Sequence, residues 1–259
     1  MRRKYAILAA VLSTVMIAVS LSVFLGHHTV SSVVHPRLSQ VQIAPDNVQS
    51  QVPTERVLVI GSSVAAGWGD TPGKGGYLAR AFRSLSDTTK TPYQVISWAI
   101  AGMTTTQAAQ HFSHWLDYVH PKVVVLSWGG LDDEVQHTPI SVFTQEVEQE
   151  INLSLQARAV VLIVTPPVTD AAYKNGYQAL PYEYFASEMA AAKALDNKNV
   201  YVFDVYDQMM TVLNDNHQTY VPYSADGWHP NAKGHKLAGE LLYHDMLNQF
   251  KEQPITFQP

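Results

Sequence analysis

Asp226-Gly227-Trp228-His229-Pro230 puts a carboxylate three residues before an imidazole, in a stretch that Gly227 and Pro230 mark as a turn rather than a helix. A histidine held by an acid is half of a nucleophilic hydrolase. The imidazole takes a proton and returns it to the leaving group, while the acid fixes the ring's tautomer. The other half is a hydroxyl at a strand end, and Arg56-Val57-Leu58-Val59-Ile60-Gly61-Ser62-Ser63 offers two, Ser62 and Ser63. A strand end holds such a hydroxyl on a rigid support, with backbone N–H groups close by for a developing oxyanion. Each signal alone is weak, because Gly-Ser-Ser is a common turn and an Asp often caps one. Their chemical complementarity selects Ser63 as nucleophile, His229 as general base and acid, and Asp226 as the orienting group, with Ser62 the competing nucleophile.

Signatures of other chemistries are missing. There is no HExxH zinc helix, no phosphate-binding Gly-rich loop with Lys and no dinucleotide fingerprint. The absence of cysteine removes thiol nucleophiles and thiolate metal sites, and fits an exported protein that does without disulfides. His27 and His28 belong to the N-terminal segment and add little to a metal site. No cofactor and no metal are expected.

These side chains need a scaffold. From residue 55, β-branched runs at Val57–Ile60, Val95–Ala99, Val123–Ser127, Ala159–Thr165 and Val200–Val205 alternate with helix-like segments. The helical segments are Tyr77–Leu85, Thr105–Tyr118, Ile140–Ala157, Pro181–Leu195 and Lys233–Phe250. Near-continuous apolar runs suit parallel strands covered on both faces. The strand–helix order predicts one three-layer α/β/α domain with a mostly parallel sheet of about five strands. Ser63, the Trp128–Asp133 region and the His229 loop then fall beyond the C-terminal ends of strands, where such sheets place their sites. Ala172–Tyr184 reads as a Tyr-rich loop leading into a helix, suited equally to a substrate groove or to aromatic packing.

The 259 residues carry a net charge of -5 with 15% charged residues, which argues against a nucleic-acid partner. Arg2, Arg3 and Lys4 precede the uncharged run Ala6–Gly26. That run approaches the roughly 20 residues of a membrane-spanning helix, and basic residues before it favour export of the chain beyond Gly26. Residues 1–26 are expected to be a signal-anchor. A cleaved signal peptide is the alternative, with Thr29-Val30-Ser31 a weak cleavage site. Residues 27–54, interrupted by Pro36, Pro45 and Pro53, read as an extracytoplasmic linker whose Val and Ile residues allow a docked strand. The domain proper is 55–259, at the cell membrane or secreted if the segment is cleaved.

In this order the blocks resemble the SGNH/GDSL hydrolase family of serine esterases and acylhydrolases, over roughly residues 55–250. Val59-Ile60-Gly61-Ser62-Ser63-Val64 is similar to the first block, with Ser62 where Gly-Asp-Ser-Leu carries Asp. Ile100-Ala101-Gly102-Met103-Thr104 is similar to the second, whose Gly102 would give a backbone donor to the oxyanion. Asp226-Gly227-Trp228-His229-Pro230 matches Asp-x-x-His-Pro. The resemblance implies a flavodoxin-like SGNH fold, Ser63, Asp226 and His229 as a triad, and an oxyanion hole from Ser63, Gly102 and the position usually held by Asn.

That last position departs from the family. Leu126-Ser127-Trp128-Gly129-Gly130-Leu131-Asp132-Asp133 puts Asp132 there when matched from Gly130, the preferred register, and Leu131 when matched from Gly129. Leu donates nothing and an ionised Asp only accepts. A protonated Asp132 would donate, since burial and a like-charged neighbour raise a carboxyl pKa. Losing one oxyanion donor costs roughly 2.7–4 kcal/mol of transition-state stabilisation. The expectation is a serine esterase acting on a lipid, acylated-glycan or small soluble ester. An acyltransferase using the same acyl-enzyme and a noncatalytic envelope protein binding carbohydrate or protein are the alternatives. The sequence leaves the oligomeric state open.

Overall fold

The computed structural model describes residues 40–41, 53–173 and 180–259. The expected signal-anchor and most of the expected linker lie outside the described residues.

A six-stranded sheet runs in the order β1-β3-β2-β4-β5-β6. The strands are β1 (Gln40–Val41), β2 (Glu55–Gly61), β3 (Tyr93–Ser97), β4 (Val123–Ser127), β5 (Val160–Val164) and β6 (Val200–Phe203). β2 to β6 are mutually parallel, and β1 adds an antiparallel edge by pairing Gln40 with Ile96 and Val41 with Val95. The expected sheet of about five parallel strands is therefore present, with one short strand, β1, docked on it from the segment expected to be a linker.

β4 and β5 are buried at every position, and their residues divide by parity, as a side-chain period of two requires. Val57, Val59, Val123, Val125, Val160 and Leu162 face one layer, containing Phe82 and Leu85 of α1 (Gly76–Thr89) and Leu242 and Met246 of α9 (Ala232–Phe250). Leu58, Ile60, Val124, Leu126, Val161 and Ile163 face the other. That layer holds α2 (Thr105–Ala109), α3 (Phe112–Val119), α5 (Ile140–Gln156) and α7 (Leu180–Ala194), which supply Ala108, Phe112, Phe143 and Met189. The result is the three-layer α/β/α arrangement.

Several elements differ from the sequence expectation. The segment Thr105–Tyr118 is two helices, because Gln110 and His111 separate α2 from α3. The β-branched run expected as a strand to Val205 stops at Phe203; the Asp204 side chain accepts the Asp207 N–H and caps α8 (Val205–Asp215). Two short helices, α4 (Leu131–Val135) and α6 (Asp170–Tyr173), occupy stretches expected to be loops. Among the described residues no helix is long and apolar enough to cross a membrane.

β2 lies between β3 and β4, so the chain crosses over in opposite directions from it, and a crevice opens beyond its C-terminal end. Gly61 closes β2 against β4 there: a Cβ at this position would meet the Ser127 carbonyl oxygen at 2.2 Å. Only glycine permits that approach.

Candidate active site

Ser63 begins a tight turn after β2, secured by Ala66 N–H to Ser62 O and Trp68 N–H to Ser63 O, each at 3.0 Å. Across the crevice, the 226–229 turn is held by its own backbone. Ala225 N–H donates to His229 O at 2.8 Å, Ser224 bridges to Pro230, and Gly227 takes φ +90°. Asn231 anchors the turn to the following helix: its Oδ1 caps the Lys233 and Gly234 N–H groups, while its Nδ2 donates to Pro222 O and Ser224 O. The two loops touch at Gly69, where a Cβ would stand 2.1 Å from Pro230 O.

This framework brings three of the sequence-selected side chains into one line. His229 Nε2 lies 2.9 Å from Ser63 Oγ, and His229 Nδ1 lies 2.8 Å from Asp226 Oδ2. Asp226 Oδ1 also accepts the N–H groups of Trp228 (3.0 Å) and His229 (2.9 Å). Partial burial pushes the Asp226 carboxyl up, but the His229 hydrogen bonds outweigh it and hold the group below its ordinary range. An ionised Asp226 accepts the Nδ1–H, which leaves Nε2 as the acceptor for the Ser63 hydroxyl.

Ser62, the competing nucleophile, faces elsewhere. Its buried hydroxyl is hydrogen-bonded to Asp132 Oδ2, and its Oγ accepts the Ser63 N–H at 2.5 Å. Asp132, Leu131 and Ser63 line one cavity with Pro166, Phe185 and Trp228. Asp132 therefore stands beside the serine turn, the placement that the Gly130 register gives it. There Asp132 accepts the Ser62 hydroxyl hydrogen bond, in the place where the family's Asn would donate one.

Gly102 reaches the same end of the sheet. Trp98 and Ile100 N–H groups bond to Val59 O and Gly61 O, so the chain beyond β3 follows β2. Gln136 Nε2 then holds Gly102 O at 3.0 Å. Gly102 adopts φ +79° and faces open space on its Cβ side. Its N–H meets no acceptor among the described residues.

Two sets of supporting residues escape a reading of the sequence. Asp70 accepts both guanidinium N–H groups of Arg80 (2.8 and 2.7 Å), and buried His235 donates Nε2–H to Trp68 O at 2.8 Å while Nδ1 accepts the Tyr77 N–H. Burial lowers the His235 pKa, so the ring is neutral in this bridge. The Trp68 ring packs 5.5 Å from that of His229. Behind the Asp132 loop sits the second set, the buried carboxyls Asp133, Glu150 and Glu188. Burial raises Asp133 to about 6 despite its bonds from Thr105, and raises Glu150 and Glu188 well above the ordinary range. Glu150 accepts the Trp128 indole N–H at 2.8 Å. Both Glu188 oxygens lack a well-formed partner among the described residues, and the nearby Trp128 backbone N–H offsets only part of the burial cost. Of the adjacent pair Asp132 and Asp133, the deeper burial falls on Asp133. No sequence periodicity could have found either set, since their members come from separate elements. Among the described residues no group of three or more His, Cys, Asp or Glu is arranged to hold a metal.

Residues 59–237 match the model of the GDSL-like lipase/acylhydrolase family, more than half of the chain. No curated protein matches by sequence. Among solved structures, the lipase/acylhydrolase from Enterococcus faecalis aligns at 21% identity with a TM-score of 0.61, over 77% of this chain and 99% of its own. The psychrotrophic esterase EstA from Pseudoalteromonas sp. aligns at 16% identity and TM-score 0.57, over 76% and 99%. A catalytic mutant of an acetylxylan esterase from Geobacillus stearothermophilus gives 15% and 0.61, over 74% and 94%. At these identities the likeness is one of fold.

Proposed function

The chain belongs to the GDSL-like lipase/acylhydrolase family, and on that premise we propose that Ser63, His229 and Asp226 hydrolyse a carboxylic ester through an acyl-enzyme at the cell envelope. The chain is a serine ester hydrolase by family. The observation that carries the residue roles is the unbroken hydrogen-bonded line from Ser63 Oγ through the His229 ring to Asp226.

Ser63 Oγ attacks the ester carbonyl carbon as its proton passes to His229 Nε2. Asp226, bonded to Nδ1–H, fixes the tautomer and stabilises the imidazolium. The N–H groups of Ser63 and Gly102 receive the oxyanion. Collapse of the intermediate expels the alcohol, which takes the proton from His229. Water, deprotonated by the same nitrogen, then attacks the acyl-enzyme, and the acid is released as Ser63 Oγ leaves with the proton from His229.

The cavity beside Ser63 holds about 40 Å³, walled by Leu131, Pro166, Phe185 and Trp228. That is room for a few water-sized groups, which supports a short acyl chain. The basic Arg2-Arg3-Lys4 start and uncharged Ala6–Gly26 support a membrane-tethered, extracytoplasmic domain.

Turnover of an aryl acetate by the full-length chain tests the chemistry. S63A and H229A should each reduce kcat by at least about 10³-fold; parent-level turnover in S63A overturns the assignment. Rates should fall from acetyl to octanoyl esters, and equal rates would reject the short-acyl reading. The intact mass of exported protein tests the tether, and loss of roughly the first 30 residues replaces an anchor with a cleaved signal.

A further inference from the structure

The Ser62 hydroxyl stands between two groups that work against each other in an oxyanion site. On one side is Asp132, an acceptor-only carboxylate; on the other is the Ser63 N–H, a donor meant for the substrate oxygen. A carboxylate facing a developing alkoxide opposes the charge, whereas the same carboxylate holding a hydroxyl proton has its nearest lone pair occupied. Ser62 is 5% exposed, so its hydroxyl is held among protein groups. The two residues are 70 positions apart, and the parallel pairing of Gly61 with Ser127 brings their loops together.

We propose that Ser62 is a positioning residue of the oxyanion site: its hydroxyl ties Asp132 down and screens that carboxylate from the oxyanion formed beside Ser63. The need for Ser62 then comes from the Asp132 charge, and it disappears with that charge. The inference rests on Ser63 being the nucleophile. The arriving carbonyl oxygen competes with Ser62 Oγ for the Ser63 N–H, while the Ser62 hydroxyl keeps donating to Asp132 Oδ2.

A double-mutant cycle on the full-length chain, read as kcat and KM for an aryl acetate, tests it. S62A should lower kcat about tenfold to a hundredfold, the worth of a hydrogen bond to a charged group, with KM within about twofold. D132N removes the charge and adds an amide donor, so kcat should rise. In the D132N background, S62A should change kcat by less than about twofold. Equal losses in both backgrounds would show a merely structural Ser62 and overturn the proposal, as would an S62A enzyme with parent kcat. S62C, near in shape but a weak donor, should fall between Ser and Ala; if S62A fails to fold, a parent-like S62C overturns the screening role. S63A, run alongside, separates the two readings, because an active S63A rejects the nucleophile itself whatever Ser62 does.

Discussion

Two groups of carboxyls lie on either side of the serine turn and behave in opposite ways. Asp226 is largely exposed, accepts two backbone N–H groups and an imidazole, and is held as an anion. Asp133, Glu150 and Glu188 are at most 1% exposed, and burial drives them toward their neutral forms, even where Thr105 bonds to Asp133. The chemical group is the same, and the balance of burial against donated hydrogen bonds decides which form is favoured. Asp226 can stabilise an imidazolium because its turn has already organised three N–H groups around it. The buried trio lies on and behind α4, the helix carrying Asp132, and burial favours the neutral form of each member.

The sharpest way to break this contrast is to neutralise one carboxyl on each side. D226N should reduce kcat by roughly 10³–10⁴-fold, as expected when the orienting acid no longer selects the tautomer, with little change in Tm. A D226N enzyme near parent activity would end the assignment of Asp226. D133N should keep activity within about tenfold, because Asp133 touches Thr105 rather than His229. Steady-state kinetics and thermal melts on the two variants make the comparison.

Glu188 gives the next largest effect, on stability. Replacing it with Met exchanges an ill-satisfied buried carboxyl for an apolar chain of similar length, and should stabilise the fold by about 1–3 kcal/mol at neutral pH. Chemical denaturation measures this, and a destabilised E188M would show that the carboxyl has a partner that matters.

The smallest effect is the pH dependence of stability. The trio's folded pKa values lie above those of an unfolded chain, so their contribution is complete below the unfolded carboxyl range and is lost as pH rises through about 6 and beyond. Asp226 and Asp70 have the opposite sign. Burial raises each, but His229 and Arg80 respectively bring them below their ordinary values, so their contribution exists above the unfolded range and is lost as pH falls. Melting temperature against pH should therefore slope down on both sides of weakly acidic pH. E188M should flatten the alkaline side alone.

The sequence is most readable where physics is local. Val123–Ser127 matches β4 at both ends, because an unbroken β-branched run has little alternative to a buried parallel strand. Asp226 and His229 are legible because they share a turn. Val205 misleads, since a β-branched residue also starts a helix once Asp204 caps it. The Ser62–Asp132 contact is not legible at all, because it depends on β2 and β4 lying side by side. The buried trio is hidden for the same reason, its members coming from α4, α5 and α7.

β1 carries a mechanical consequence. It pairs only Gln40 and Val41 with β3, whereas β2 makes five-residue registers on both sides before it reaches Ser63. A pull on the chain preceding residue 40 loads the shortest pairing in the sheet first. By this count β1 would part from β3 before β2 and the serine turn are strained.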